Sequence, residues 1–154
     1  MKHPSIVSCT ISVMASVMAL LSGCSSMGSA ASAVSAYEKL GGSSNMSSIA
    51  SGFVNSSLKD PQLSSLTAGK SVDPTSTTEK VSNQLCSLLG GGCKAPLSSS
   101  QLTEAASKVS PDQSKAISQH FASALNSVVS DPHVRELATK TVGSKLPGVL
   151  TGLL

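Results

Sequence analysis

From residue 36 onward, apolar side chains recur every three or four positions in blocks separated by glycine, proline and polar runs. That period lines one side of an α-helix. Tyr37-Glu38-Lys39-Leu40 reads as a single helical turn stopped by Gly41-Gly42. Met46, Ile49, Phe53, Val54, Ser57 and Leu58 predict an amphipathic helix over 45–58. Asp60-Pro61 starts a further turn, with Leu63 and Leu66 pointing inward, and the polar stretch 67–77, with Gly69 and Pro74, reads as a loop. Val81, Leu85, Leu88 and Leu89 share one side of a helix over 79–89, which Gly90-Gly91-Gly92 ends. Leu102, Ala105 and Ala106 suit a short helix over about 100–107. Ser110-Pro111-Asp112-Gln113 is a strong start signal: serine caps, proline fits the first position, and Gln113 can complete a capping box. Ile117, Phe121, Ala124, Leu125 and Val128 continue that helix to about 129. Asp131-Pro132 repeats the signal, and Val134, Leu137, Ala138 and Val142 carry a last helix to Gly143. The stretch 146–154 is apolar but interrupted by Pro147, Gly148 and Gly152, and two placements are open for it: packed on the core or lying beside a membrane. No alternating strand pattern and no internal repeat stands out, so the chain is expected to be all-α.

The first 23 residues follow a different plan. Met1-Lys2-His3 is positively charged, and an apolar stretch runs from Ile6 to Leu21. That order is the order of an export signal. The apolar part falls short of the roughly 20 residues that cross a bilayer core, which favours a cleaved signal over a permanent span. The stretch closes on Leu21-Ser22-Gly23-Cys24, which resembles the lipobox of bacterial lipoproteins. The resemblance implies cleavage after residue 23, acylation of Cys24 and a lipid bilayer as partner. Ser25, rather than Asp, stands next, which in that family implies an outer-membrane lipoprotein facing the periplasm. Residues 24–35 are small and polar and read as a flexible lipidated tether. The expected organisation is a signal over 1–23, a tether over 24–35, a domain over 36–145 and an apolar tail over 146–154.

Composition narrows the functional classes. Serine makes up about a fifth of the chain, Trp is absent, and the aromatics are Tyr37, Phe53 and Phe121. The formal charge is +3 and the basic residues are scattered. With no basic stripe and no stacking platform, nucleic-acid binding is not expected. No Gly-x-Ser-x-Gly elbow is present, no pairing of a histidine with a suitable acid stands out, and Glu38, Glu79, Glu104 and Glu136 are dispersed. An enzyme is therefore not expected. Four cysteines remain to be placed. Cys9 leaves with the signal and Cys24 takes lipid. Cys86 and Cys93 bracket Ser-Leu-Leu-Gly-Gly-Gly, and an exported chain meets an oxidising compartment. They are predicted to be bonded, which contributes ~2–3 kcal/mol in the chain-entropy model. A metal site is the weaker reading, for want of further ligands, and a redox-active pair weaker again, because the spacing is not Cys-x-x-Cys.

Four blocks, in order, resemble the truncated haemoglobins in a group-1-like pattern. They are Tyr37-Glu38-Lys39-Leu40-Gly41-Gly42, the run from Phe53 to Leu63 with its Asp60-Pro61 turn, the run from Val81 to Cys93, and the run from Val109 to Leu125. The cysteine pair is similar to one in exported lipoprotein members. The resemblance spans about 36–144 and implies a small globin-like sandwich of helices, two over two, around a haem held by one histidine, with oxygen or another diatomic gas on the far side. The axial histidine expected by that pattern falls on Glu104, eleven residues after Cys93. The ligand-binding tyrosine falls on Val54, next to Phe53, and the aromatic wedge on Leu66 or Thr67. The aromatic expected after the second cysteine is Ala95, and a nearby glycine is Leu97. The histidines after the signal, His120 and His133, stand away from the axial position. The expected protein is thus an envelope lipoprotein whose globin-like domain has lost its haem and serves a structural or interaction role with an unidentified protein partner. The alternative is an anchored globin that still binds haem and a diatomic gas.

Overall fold

The computed structural model describes residues 34–154; the expected signal over 1–23, Cys24 and the tether up to residue 33 lie outside the described residues. The described chain is all-helical, and no strand occurs among the described residues. Helix α1 (Ala36–Lys39) is one turn capped by Ser35, whose Oγ accepts from the Glu38 N–H. Helix α2 (Gly42–Lys59) begins four residues before the apolar stripe, which opens at Met46. Gly41, at φ 98°, turns the chain sharply enough for it to start there. The Asn45 side chain donates to the Leu40 carbonyl across this turn, at 2.8 Å. A 3₁₀ turn (Pro61–Leu63) follows, capped by the Asp60 carboxylate, and runs into helix α3 (Ser64–Thr67).

Helix α4 (Pro74–Leu88) corrects the expected loop over 67–77. Asp73 accepts from the N–H groups of Thr75 and Ser76, with Pro74 in the first position, so α4 starts five residues before the apolar stripe at Glu79. Only Thr77 is buried in that first stretch, which is why periodicity did not reveal it. Helices α5 (Ser99–Ala106) and α6 (Pro111–Val128) each open with a complete capping box, Ser98 with Gln101 and Ser110 with Gln113. Helix α7 (Pro132–Val142) is capped by Asp131, and a second 3₁₀ turn (Gly143–Lys145) leads into helix α8 (Leu146–Leu153).

Helix α2 is the hub, lying against both α4 and α6. Helix α8 lies chiefly against α5 and also touches α6 and α4. The apolar tail is therefore not a separate segment. It is the innermost helix, with Leu146, Pro147, Val149, Leu150 and Leu153 buried, and Ser35–Leu154 fold as one unit. Of the two placements open to it, the core is the one observed. Its seat against α5 depends on Gly148, where a Cβ would collide with the Leu102 carbonyl. The two helices thus meet backbone to backbone at that point.

The interior is built almost wholly of small and medium aliphatics around two rings. Phe53 on α2 and Phe121 on α6 meet edge to face, centroids 5.6 Å apart and planes at 84°. Met46, Ile49, Val81, Leu85, Ile117, Leu125, Val142 and Leu146 complete the cluster. Among the described residues, no helix is long and apolar enough to cross a membrane.

Candidate functional site

The positions marked by resemblance to a haem pocket are spread between the core and the surface. Phe53 and Val54 are fully buried on the inward side of α2 and pack in the main cluster. Leu66 on α3 is half-buried against the edge of that cluster. Ala95 is exposed, and Leu97 is half-buried. Glu104 faces solvent from the outer side of α5, its side chain 73% exposed and paired with Lys108 at 3.4 Å. The inward positions of that helix are Leu102 and Ala105. The placement of Glu104 under an iron is therefore not what the structure supports: the helical register turns its carboxylate outward.

Between α4 and the segment entering α5 stands a polar clamp that the sequence reading passed over. Gln84 is 1% exposed. Its Oε1 accepts from the Leu97 N–H at 2.8 Å, and its Nε2 donates to the Leu97 carbonyl at 3.3 Å. One carboxamide thus satisfies both polar groups of a single backbone residue. A buried amide without such partners would cost ~1–3 kcal/mol per group. Its sole sequence signal is a glutamine one position from Leu85, on the apolar side of α4.

The two histidines have other engagements. His120 on α6 reaches the turn after α2, where its Nε2–H donates to Asp60 Oδ2 at 2.7 Å, with the side chains 24% and 16% exposed. Asp60 Oδ1 also accepts from the Gln62 N–H at 2.8 Å. The hydrogen bond from His120, and then that from Gln62, hold the Asp60 carboxyl below its ordinary range. The stabilisation is present above pH 3.8, the carboxyl's ordinary value, and is lost as the pH falls through the lowered folded-state value. Asp60→Asn is expected to flatten the acid limb of the stability–pH curve below about pH 4, and His120→Ala to do the same more weakly. Urea midpoints taken from pH 2.5 to 7 check it. An unchanged acid slope in Asp60→Asn would contradict the pairing. His133 is exposed in the first turn of α7, where its backbone N–H donates to Asp131.

Cys86 and Cys93 are joined, with Cα atoms 5.7 Å apart, as the spacing predicted. Among the described residues, no group of three or more His, Cys, Asp or Glu is placed to hold a metal ion. The surface has an open polar groove of about 460 Å³ between α2 and α4, where Ser47, Ser51 and Asn55 face Thr78, Glu79, Ser82 and Asn83. Its one titratable group is Glu79, with no imidazole or thiol to form a nucleophile–base pair. An apolar recess of about 170 Å³ lies beside Leu102 and Ala106. That is well under the ~300–1,000 Å³ typical of ligand pockets.

As packed, these residues do not fit an iron porphyrin. His120 is taken up by Asp60, His133 is exposed, Glu104 points outward, and the Gln84 clamp closes α4 against the approach to α5. Compared with known proteins, the chain matches no family model, no curated protein and no solved structure.

Proposed function

We propose that this chain is an exported bacterial lipoprotein, acylated at Cys24 and held at the outer membrane facing the periplasm. Its domain is a truncated-globin-like sandwich, two helices over two, that works without haem as a structural or interaction module of the envelope. The chemistry of the N-terminus supports the anchor: a charged start, a short apolar run and Leu-Ser-Gly-Cys. The four ordered blocks support the ancestry. One observation carries the haem-free reading. Gln84 spends its carboxamide on Leu97, at 2.8 and 3.3 Å, where that ancestry would seat the cofactor between α4 and α5. An axial ligand needs a nitrogen, sulfur or phenolate donor aimed at the iron, and the inward positions of α5 are Leu102 and Ala105.

The test has two arms. In the full chain produced with haem supplied, the visible spectrum is expected to match free haem. A strong Soret band that vanishes in His120→Ala or Glu104→Ala would establish the alternative, a haem-binding globin. In a bacterial host fed labelled fatty acid, the chain is expected to take up label and Cys24→Ala to lose it. Label retained in that variant would remove the anchor from the reading.

A further inference from the structure

Helix α1 is a single turn, far shorter than the ~12–15 residues at which a helix begins to hold by itself in water. It contributes no buried residue. Something outside must hold it: it lies beside α2 and against α7, and three further contacts seat it on the loop after α4. The Tyr37 N–H donates to the Leu89 carbonyl at 3.1 Å. A Cβ built on Gly91 would lie 2.6 Å from both Cys86 Sγ and Tyr37 Cγ, so phenol ring and disulfide sulfur sit together over that glycine. Such a contact of sulfur with an aromatic ring is favourable. A Cβ on Gly90 would meet the Ser35 side chain at 3.2 Å. Helix α1 therefore rests on the loop that the Cys86–Cys93 bond closes.

The Gly90 and Gly91 N–H groups donate to the Ser87 and Cys86 carbonyls and shape the first turn of that loop. Gly90 and Gly92 have φ of 85° and 72°, and three adjacent glycines carry more backbone freedom than any other run of that length. The bond adds to those hydrogen bonds in keeping Gly91 and the Cys86 sulfur beneath Tyr37. At the other end of α1, Leu40 is buried in the core, and Gly41 and Gly42, both at positive φ, follow as a natural pivot.

We infer that the Cys86–Cys93 disulfide is an exchange site for a dithiol reductant and that its closure latches α1 to the domain. Cys86 is 2% exposed, whereas Cys93 is half-buried. Attack therefore falls on the Cys93 sulfur. A reductant thiolate bonds to Cys93 Sγ, the Cys86–Cys93 bond breaks, and Cys86 leaves as a thiolate that takes up a proton. The second thiol of the reductant then displaces Cys93 from the mixed disulfide. Two electrons and two protons pass to the protein, and the reductant departs as its own disulfide. With the bond open, the glycine shelf loosens, and residues 35–39, left with their contacts to α2 and α7, swing more freely about Leu40. The latch does not rest on the anchoring reading. Only one consequence does: in an anchored chain, the freed residues would lengthen the reach of the domain from the membrane.

The chain holds one Tyr and no Trp, so intrinsic emission reports on Tyr37 alone. A disulfide in contact with an excited phenol quenches it. The full chain is treated with dithiothreitol without denaturant and followed by mass, emission and amide exchange. Expected are a gain of two hydrogens, a rise in tyrosine emission, and ~tenfold or greater loss of protection at the amides of Tyr37 and Lys39, with α6 unchanged. Gly91→Ala is expected to show the raised emission while still oxidised and to respond little to reductant. Cys93→Ser should match the reduced protein. A bond that resists the dithiol until the chain unfolds would overturn the exchange site. Protection of α1 unchanged after reduction would overturn the latch, as would equal loss of protection in α6. Because no membrane enters these measurements, their failure is distinct from loss of fatty-acid label at Cys24.

Discussion

Phe53→Ala is expected to destabilise the domain by ~3–5 kcal/mol, the range for deleting a buried aromatic ring from a packed core. Phe53 is fully buried, and its ring meets the edge of Phe121 at 5.6 Å. These two rings are the largest side chains in an interior made almost wholly of aliphatics. Domains of this size are stabilised by only ~5–15 kcal/mol in total. A drop of ~10–25 °C in thermal midpoint follows, and circular dichroism melting checks it. Phe53→Leu should cost less than about 1.5 kcal/mol, since much of the volume is kept. The comparison also bears on function. A phenylalanine on the wall of an open cofactor slot loses little on truncation and is rescued by the ligand. One at the centre of a closed core carries the full ~3–5 kcal/mol cost and is not rescued. A cost of Phe53→Ala below about 1 kcal/mol would therefore favour the slot.

How far the sequence exposes this fold depends on what each element advertises. Helix α6 was legible throughout, because Ser110-Pro111-Asp112-Gln113 sets its start and Ile117, Phe121 and Leu125 its buried stripe. Helix α4 was legible only from Glu79, since its first five residues are polar and hidden from periodicity. Asp73-Pro74 repeats the start signal of Asp131-Pro132, so the cap was readable although the stripe was not. The last helix showed its apolarity but not its destination, because an apolar nonapeptide with Pro147 and two glycines suits a core or a lipid surface equally well. The disulfide was readable from two cysteines bracketing a glycine-rich turn. The His120–Asp60 contact joins residues 60 apart, and the Gln84–Leu97 clamp uses a side chain that elsewhere marks a solvent-facing position. Pairings of that kind are set by tertiary packing, and no local pattern encodes them. For the same reason Glu104 misled: a count from Cys93 identifies a position along the chain, whereas helical register decides the side of α5 on which it emerges.

The three glycines near the C-terminus should respond to alanine with different signs. In an ordinary helix, replacing glycine by alanine stabilises by roughly 0.5–1 kcal/mol through lost backbone freedom. Gly143 has a φ of −51° and open space where a Cβ would go, so Gly143→Ala is expected to gain about that much. At Gly152 the Cβ would press on the tip of Leu97 and approach Ala105 at 3.3 Å. The Leu97 side chain can rotate aside, so Gly152→Ala should be near neutral. Gly148 is different in kind. Its Cβ would enter the Leu102 carbonyl, with Leu102 Cα at 3.1 Å, and backbone cannot rotate aside. Helix α8 must then lift from α5, and the side chains of Val149 and Leu150, fully buried now, lose their packing along with it. Gly148→Ala is therefore expected to cost ~2–3 kcal/mol and Gly148→Val more, the sign opposite to that at Gly143. Chemical denaturation of the set checks the order. A stabilising Gly148→Ala would mean that α8 does not lie in this seat, and the closed interior that argues against a haem would lose its innermost helix.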